Sequence, residues 1–119
     1  MTVTDIAAVA AGGFAGAVFR YLLSRKLNNE VRIPYGTLLA NLLGCLLIGF
    51  VLGLQISVPV TYLLVTGVAG ALTTFSTWMK EVVGMMRLRQ LGRGSAYLLG
   101  SIVLGVACVY AGYTGSSFF

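Results

Sequence analysis

A chain of 119 residues, 58% of them hydrophobic and only 9% charged, cannot cover a folded surface for water; a soluble domain carries about 25% charged residues. Its composition is that of an integral membrane protein. The absence of His, and the placement of both cysteines, Cys45 and Cys108, in apolar stretches, exclude a disulfide framework and a Cys/His metal site.

A bilayer is crossed by about 20 apolar residues. The chain supplies four such stretches, Ile6–Leu27, Tyr35–Leu54, Val60–Met86 and Ser95–Tyr113, so the expected fold is one all-α bundle of four transmembrane helices. The first stretch has no basic leader and runs too long for a cleaved signal, and is expected to stay as a helix. It is rich in small residues, with Gly12 and Gly16 in a GxxxG step. The second has another at Gly49 and Gly53, with Ala40 and Gly44 one turn apart. Such steps let helix backbones approach closely. The connections at 25–34 and 87–94 are polar and basic, and the one at 55–59 is short.

The third stretch differs from the others. Its Leu63–Val65 and Trp78–Met86 parts read as ordinary helix. Between them, Gly67-Val-Ala-Gly-Ala-Leu-Thr-Thr-Phe-Ser-Thr-Trp78 puts two glycines, four hydroxyls and two aromatic rings near the middle of the span. Glycines and β-branched residues lower helix propensity, and hydroxyls compete for the backbone. The third helix is therefore expected to be broken near its middle, with an unwound turn around Gly70–Thr74. Hydrocarbon offers no partners to freed backbone groups, so such a turn must line a cavity or pack on protein. Broken membrane helices are where ion and substrate sites are built.

The basic residues are one-sided. Arg25, Lys26 and Arg32 lie in the first connection with Arg20 near it, and Arg87, Arg89 and Arg93 lie in the third with Lys80 near it. The positive-inside rule predicts one fixed orientation with both termini outside the cytoplasm. Because these residues flank apolar spans, anionic lipid headgroups are the expected partner of the net charge of +5, and nucleic acid is not.

Several polar groups within the spans have two readings. Asn41 can glue helices together by a hydrogen bond or face a pore as a donor. Arg20 can snorkel to the interface or make an electropositive vestibule that concentrates anions. Phe75 and Trp78, three apart, share a helix face; they can pack in the bundle or turn their positive ring edges to a small anion. Tyr97 and Ser101, one turn apart with Gly105 next, can line a polar track. Asp5, Glu30 and Glu81 are expected at or beyond span ends, which argues against a proton-coupled exporter and a carboxylate cation site. There is no nucleophile–base pair and no metal-ligand set, so no enzyme is expected.

Three pieces carry a resemblance: Gly12-Gly-Phe-Ala-Gly-Ala-Val-Phe-Arg-Tyr21, Gly36-Thr-Leu-Leu-Ala-Asn-Leu-Leu-Gly44 and Gly67 through Thr77. In this order and at this length, the chain resembles the Fluc (CrcB) fluoride ion channels of bacteria over nearly all of its length. The resemblance implies a dual-topology architecture in the plasma membrane, an antiparallel dimer with two fluoride pathways along its interface. It implies passive export of fluoride, which lowers its toxicity to the cell. It also implies a structural, untransported Na+ at the dimer centre, held by backbone carbonyls, here of Gly70 and Thr73. Asn41 then takes the place of a pore-facing amide, Phe75 that of a fluoride-contacting ring, and Arg20 that of a vestibule arginine. Ser76 and Thr77 fall in the family's polar run, and Tyr97 and Ser101 complete the fluoride pathway.

Fluoride is small and strongly hydrated, so close donors must replace its lost water without trapping it. Neutral amide, hydroxyl and ring-edge donors meet that need. Trp78 stands where the family commonly has a second Phe, and Gly105 where a further hydroxyl is expected. The Lys/Arg bias is a further departure, because a homodimer inserted both ways needs little of it. It raises a heterodimer, in which this chain is a half-competent or non-conducting subunit beside an oppositely oriented homologue. A small multidrug transporter and a non-transporting assembly subunit are the other readings.

Overall fold

The structure is a computed structural model, and it describes residues 2–28 and 34–119. Glu30 and Arg32 of the first connection lie outside the described residues. Among the described residues all regular structure is helical. Among the described residues four helical stretches are long and apolar enough to cross a membrane: Val3–Leu27, Tyr35–Leu54, Val58–Arg87 and Leu91–Phe118. The molecule measures 48 × 28 × 23 Å, so its long axis exceeds a hydrocarbon core of about 30 Å.

Helix α1 (Val3–Leu27) starts before its apolar run does because Thr2 and Asp5 form a capping box. The Asp5 amide donates to Thr2 Oγ1 at 3.2 Å, and the Thr2 amide donates to Asp5 Oδ2 at 3.0 Å. Two orphan donors of the first turn are thereby satisfied. Helix α2 (Tyr35–Leu54) ends at Gln55, whose φ of 53° is left-handed. The third span then starts with α3 (Val58–Thr61), with Pro59 in its first turn, where proline lacks only a donor the helix would not use.

From Tyr62–Ala69 the third span is π-helical. Leu63–Val65, expected as ordinary helix, lies inside this wider winding. The Gly70 amide donates to the carbonyls of both Val65 and Gly67 as the π winding gives way to one turn of α4 (Gly70–Leu72). Helix α5 (Ser76–Arg87) completes the span.

The last connection is shorter than its composition suggests. Helix α6 (Leu91–Gly115) starts four residues before Ser95, and a 3-10 turn, Ser116–Phe118, follows it. Gly92 and Gly94 favour a loop by propensity, but Gly94 is buried against Met85 and Met86, and packing wins. Arg89 closes α5 in a left-handed conformation, φ 59°. Its amide donates to Met86 O at 3.1 Å and that of Gln90 to Met85 O at 2.9 Å.

Two seams hold the bundle: α2 lies along α6, and α1 along the π-helical segment. A Cβ on Gly49 would fall on the Val109 carbonyl oxygen, and one on Gly112 on that of Leu46. A Cβ on Gly12 would strike the Leu63 carbonyl, and one on Gly16 that of Val68. The small-residue steps thus set backbones against backbones, as membrane helices require where hydrophobic burial gives little drive. Gly53 approaches Ser116, and Gly44 approaches the Thr73 methyl, so the second step and Ala40–Gly44 serve different neighbours.

Candidate functional site: an interrupted helix pinned by an amide

Helical winding in the third span stops at Leu72 and resumes at Ser76. Thr73 is extended, φ −81° and ψ 152°. The interruption therefore lies at the late edge of the Gly70–Thr74 window. Gly70 itself remains helical, and the threonines do more to open the turn than the glycine does. The Thr73 hydroxyl donates back to Ala69 O at 2.8 Å, the local competition that bends membrane helices.

Asn41 on α2 holds the open turn from both sides. The Thr74 amide donates to Asn41 Oδ1 at 2.7 Å, and Asn41 Nδ2 donates to the Thr74 carbonyl at 3.2 Å. These bonds also fix which end of the amide faces the backbone, since the Thr74 N–H needs an acceptor. Of its two readings, Asn41 has the gluing one in full. Its second amide proton is not used in this pair, and Asn41 also lines a cavity. On the far side of the turn, the Thr77 amide donates to Thr74 Oγ1 at 3.2 Å, capping α5.

That cavity, of about 260 Å³, lies between α2, the open turn, α5 and α6. Asn41, Thr73, Thr74, Phe75, Trp78, Ser101 and Gly105 supply its polar and aromatic wall, and no lining residue is charged. The Phe75 and Trp78 rings meet edge to face, centroids 5.7 Å apart and planes at 63°. Phe75 is 69% exposed and also borders a second concavity of about 650 Å³ with Ser76, Lys80 and Arg87. Phe75 is the residue the two spaces share. Thr77 is exposed and lines neither. Arg20, half-buried on α1, borders neither space.

Tyr97 and Ser101 part company. Ser101 lines the cavity, while Tyr97 is 2% exposed and lies outside it. The Tyr97 hydroxyl donates to Glu81 Oε1 at 2.9 Å, and the Thr37 hydroxyl donates to Glu81 Oε2 at 3.0 Å. Asn28 in turn donates to Thr37 Oγ1 at 3.1 Å and accepts the Thr37 amide at 3.0 Å. This network ties the end of α1 to the starts of α2 and α6 through α5, at the end of the bundle that carries Arg25, Lys26, Arg87, Arg89 and Arg93. Glu81 was expected at a span end. It lies six residues inside Arg87, about 9 Å at 1.5 Å per residue, within the span and half-buried. A carboxylate inside an apolar span was itself the signal that could have found this network.

Residues 7–113 match the family described as CrcB-like protein, Camphor Resistance (CrcB). The chain belongs to the CrcB family. It is 43% identical over 110 residues to the fluoride-specific ion channel FluC of Chlorobium phaeobacteroides (strain BS1), covering 87% of this chain and 86% of that protein. With the protein of the same name from Chlorobaculum tepidum it shares 40% identity over 118 residues, 94% of each. With that of Methanopyrus kandleri it shares 41% over 113 residues, 91% of this chain and 86% of the relative. The CrcB match includes the seams, the open turn and its pinning amide. With its four apolar spans, the chain is a multi-pass membrane protein.

Proposed function

We propose that the chain is a fluoride-selective channel of the bacterial plasma membrane that lets F− leave the cytoplasm down its gradient. The observation that carries this reading is the uncharged cavity beside the open turn, where an amide, hydroxyls and an edge-to-face ring pair converge. Neutral donors can replace part of the hydration of a small anion, and a site without a fixed cation lets it go again. Phe75, shared by that cavity and the one lined by Lys80 and Arg87, links a basic mouth to the neutral stretch. The similar proteins named as fluoride-specific channels support the choice of ion.

Glu81 lies inside a span, so the acidic positions alone do not exclude a proton-coupled exporter. The similar proteins named as fluoride-specific ion channels support a channel over such an exporter. The test is flux from liposomes loaded with fluoride or chloride. Fluoride should leave and chloride stay, with Asn41→Asp and Phe75→Ile both slow. Equal leak of the two anions overturns the reading.

A working channel in this reading is an antiparallel dimer, with its two pathways along the interface and a structural Na+ at its centre. The donor set fits. In a continuous helix the Thr74 and Thr77 amides would bond the Gly70 and Thr73 carbonyls; here they donate to Asn41 Oδ1 and Thr74 Oγ1. Gly70 is exposed, and an added Cβ there would make only an ordinary contact, at 3.7 Å, with the Val65 carbonyl oxygen. Two chains would offer four such oxygens, ligands of the kind hard cations take. When bound, the ion would tie the two open turns together. Exchange of Na+ for a large organic cation should lower the thermal stability of the dimer in detergent as well as its flux.

The one-sided Lys/Arg distribution favours a second reading of the dimer, in which the partner is an oppositely oriented homologue. Expression of the chain alone, purified as a conducting dimer, would overturn it.

A further inference from the structure

Helix α5 has two faces with different neighbours. Val82 and Met85 are buried in a cluster with Tyr97 of α6. Ser76, Lys80, Val83 and Arg87, spaced i, i+4, i+7 and i+11, share the other face, and all four are exposed. They wall the concavity of about 650 Å³ that Phe75 also borders. Gly84 lies in the same wall, and a Cβ added there would meet nothing within 4 Å, so no other element packs on it. Lys80 and Arg87 are seven residues apart, about 10 Å along the axis at 1.5 Å per residue. Both heads sit on long stems that can lean toward one group between them.

The chain does not supply these cations with a counter-charge. Among the described residues neither is ion-paired. Asp5 is engaged in its capping box, and Glu81 accepts from Tyr97 and Thr37. The chain has three acidic residues against eight basic ones, so a second copy has only Glu30 left to bring to this face. A free phosphate would meet the cations but leave the apolar floor bare, where Met79, Val83 and the 69% exposed Phe75 lie. An amphiphile with one anionic group covers both. We propose that this face of α5 binds one anionic phospholipid, its phosphate between Lys80 and Arg87 and an acyl chain along Val83 and Met79 toward Phe75. The polarity agrees with depth: Arg87 ends the span at the basic end of the bundle, and Phe75 lies at the interruption in mid-span. Basic pockets on membrane helices hold anionic headgroups by this combination of charge and groove. Its consequence rests on the channel reading: the headgroup neutralises a mouth that otherwise concentrates fluoride, so lipid and ion compete there.

The test exchanges the purified chain in detergent against equal amounts of phosphatidylglycerol and phosphatidylcholine, and reads the lipid retained per chain by native mass spectrometry. Wild type should keep one phosphatidylglycerol in preference to phosphatidylcholine. In Lys80→Gln/Arg87→Gln that preference should fall by about fivefold for each cation removed. Gly84→Leu keeps both cations and fills the concavity where the structure has open space. It should lose the retained lipid with its melting temperature unchanged. Retention undiminished in Gly84→Leu overturns the site, because the lipid is then held by the basic end at large. Displacement of the lipid by excess inorganic phosphate overturns it in favour of a free anion. In liposomes, a rising share of phosphatidylglycerol should raise the half-saturating fluoride of wild type several-fold and leave that of Lys80→Gln/Arg87→Gln flat. A flat wild type overturns the competition at the mouth. If the wild type does not distinguish fluoride from chloride in flux, the channel reading falls, and lipid retention still decides on the site.

Discussion

The α1 seam and the open turn, both on the third span, solve the same problem in opposite ways. At the seam, Gly12 and Gly16 bring α1 against the Leu63 and Val68 carbonyls, and every gain comes from the absence of side chains. At the open turn the helix gives up its own bonds, and one side chain, Asn41, supplies the replacement for Thr74. A seam of this kind tolerates nothing added. A turn of this kind tolerates nothing taken away. Hydrocarbon enforces both rules, since a membrane interior has no water to fill a gap or satisfy an orphan.

The sharpest way to break the comparison is Asn41→Leu. It has similar bulk and removes both bonds to Thr74, leaving a backbone N–H and C=O without partners at depth. Unsatisfied buried groups cost about 1–3 kcal/mol each, so the loss should be about 3 kcal/mol and fluoride flux should vanish. Denaturant unfolding in micelles measures the first and liposome efflux the second. A stable, conducting Asn41→Leu protein would mean that the turn holds itself. Second in size is Gly12→Val at the seam. Its Cβ meets backbone that cannot swing aside, and overpacking costs about 1–3 kcal/mol. Melting temperature should fall, while the turn, bonded separately, should keep its fluoride selectivity in whatever protein remains folded.

The seams were legible in the sequence and the polar bonding was not. GxxxG spacing states that a face is bare, and a bare face in a membrane packs on another backbone. The four spans likewise follow from apolar length, to within a few residues. What lay beyond the sequence was which partner each polar side chain would choose. Tyr97 and Ser101 look like one strip by spacing, yet Tyr97 turns to Glu81 and only Ser101 reaches the cavity. Periodicity gives a face and says nothing about a carboxylate on another helix. The π-helical stretch was equally hidden, because nothing in Tyr62–Ala69, apolar but for Thr66 and Gly67, separates π from α winding. Arg20 lines neither of the two cavities.

The Glu81 network gives a smaller test of the same contrast at the other end of the bundle. Tyr97→Phe removes one of the two hydroxyl donors to the carboxylate and leaves Thr37 in place. Hydrogen bonds between membrane helices average about 0.6 kcal/mol, and one to a carboxylate exceeds that, so a loss of about 1 kcal/mol is expected. Thr37→Val should cost more, because the Thr37 hydroxyl both donates to Glu81 and accepts from Asn28. A double mutant less destabilised than the sum would show that the two donors share one carboxylate as a unit.

The smallest effect is the most discriminating. Gly12 and Gly13 are neighbours on α1 with the same composition around them, yet only a Cβ on Gly12 would strike the third span. A Cβ on Gly13 finds nothing within 4 Å. In a helix, alanine is favoured over glycine by up to about 1 kcal/mol. Gly13→Ala should therefore leave the melting temperature unchanged or raise it slightly, where Gly12→Ala lowers it. If the antiparallel partner packs on this face of α1, the order changes: Gly13→Ala then weakens the dimer while the isolated chain keeps its stability. Comparing the two variants as monomer and as dimer thus reads out whether the glycine at 13 serves the fold or the assembly.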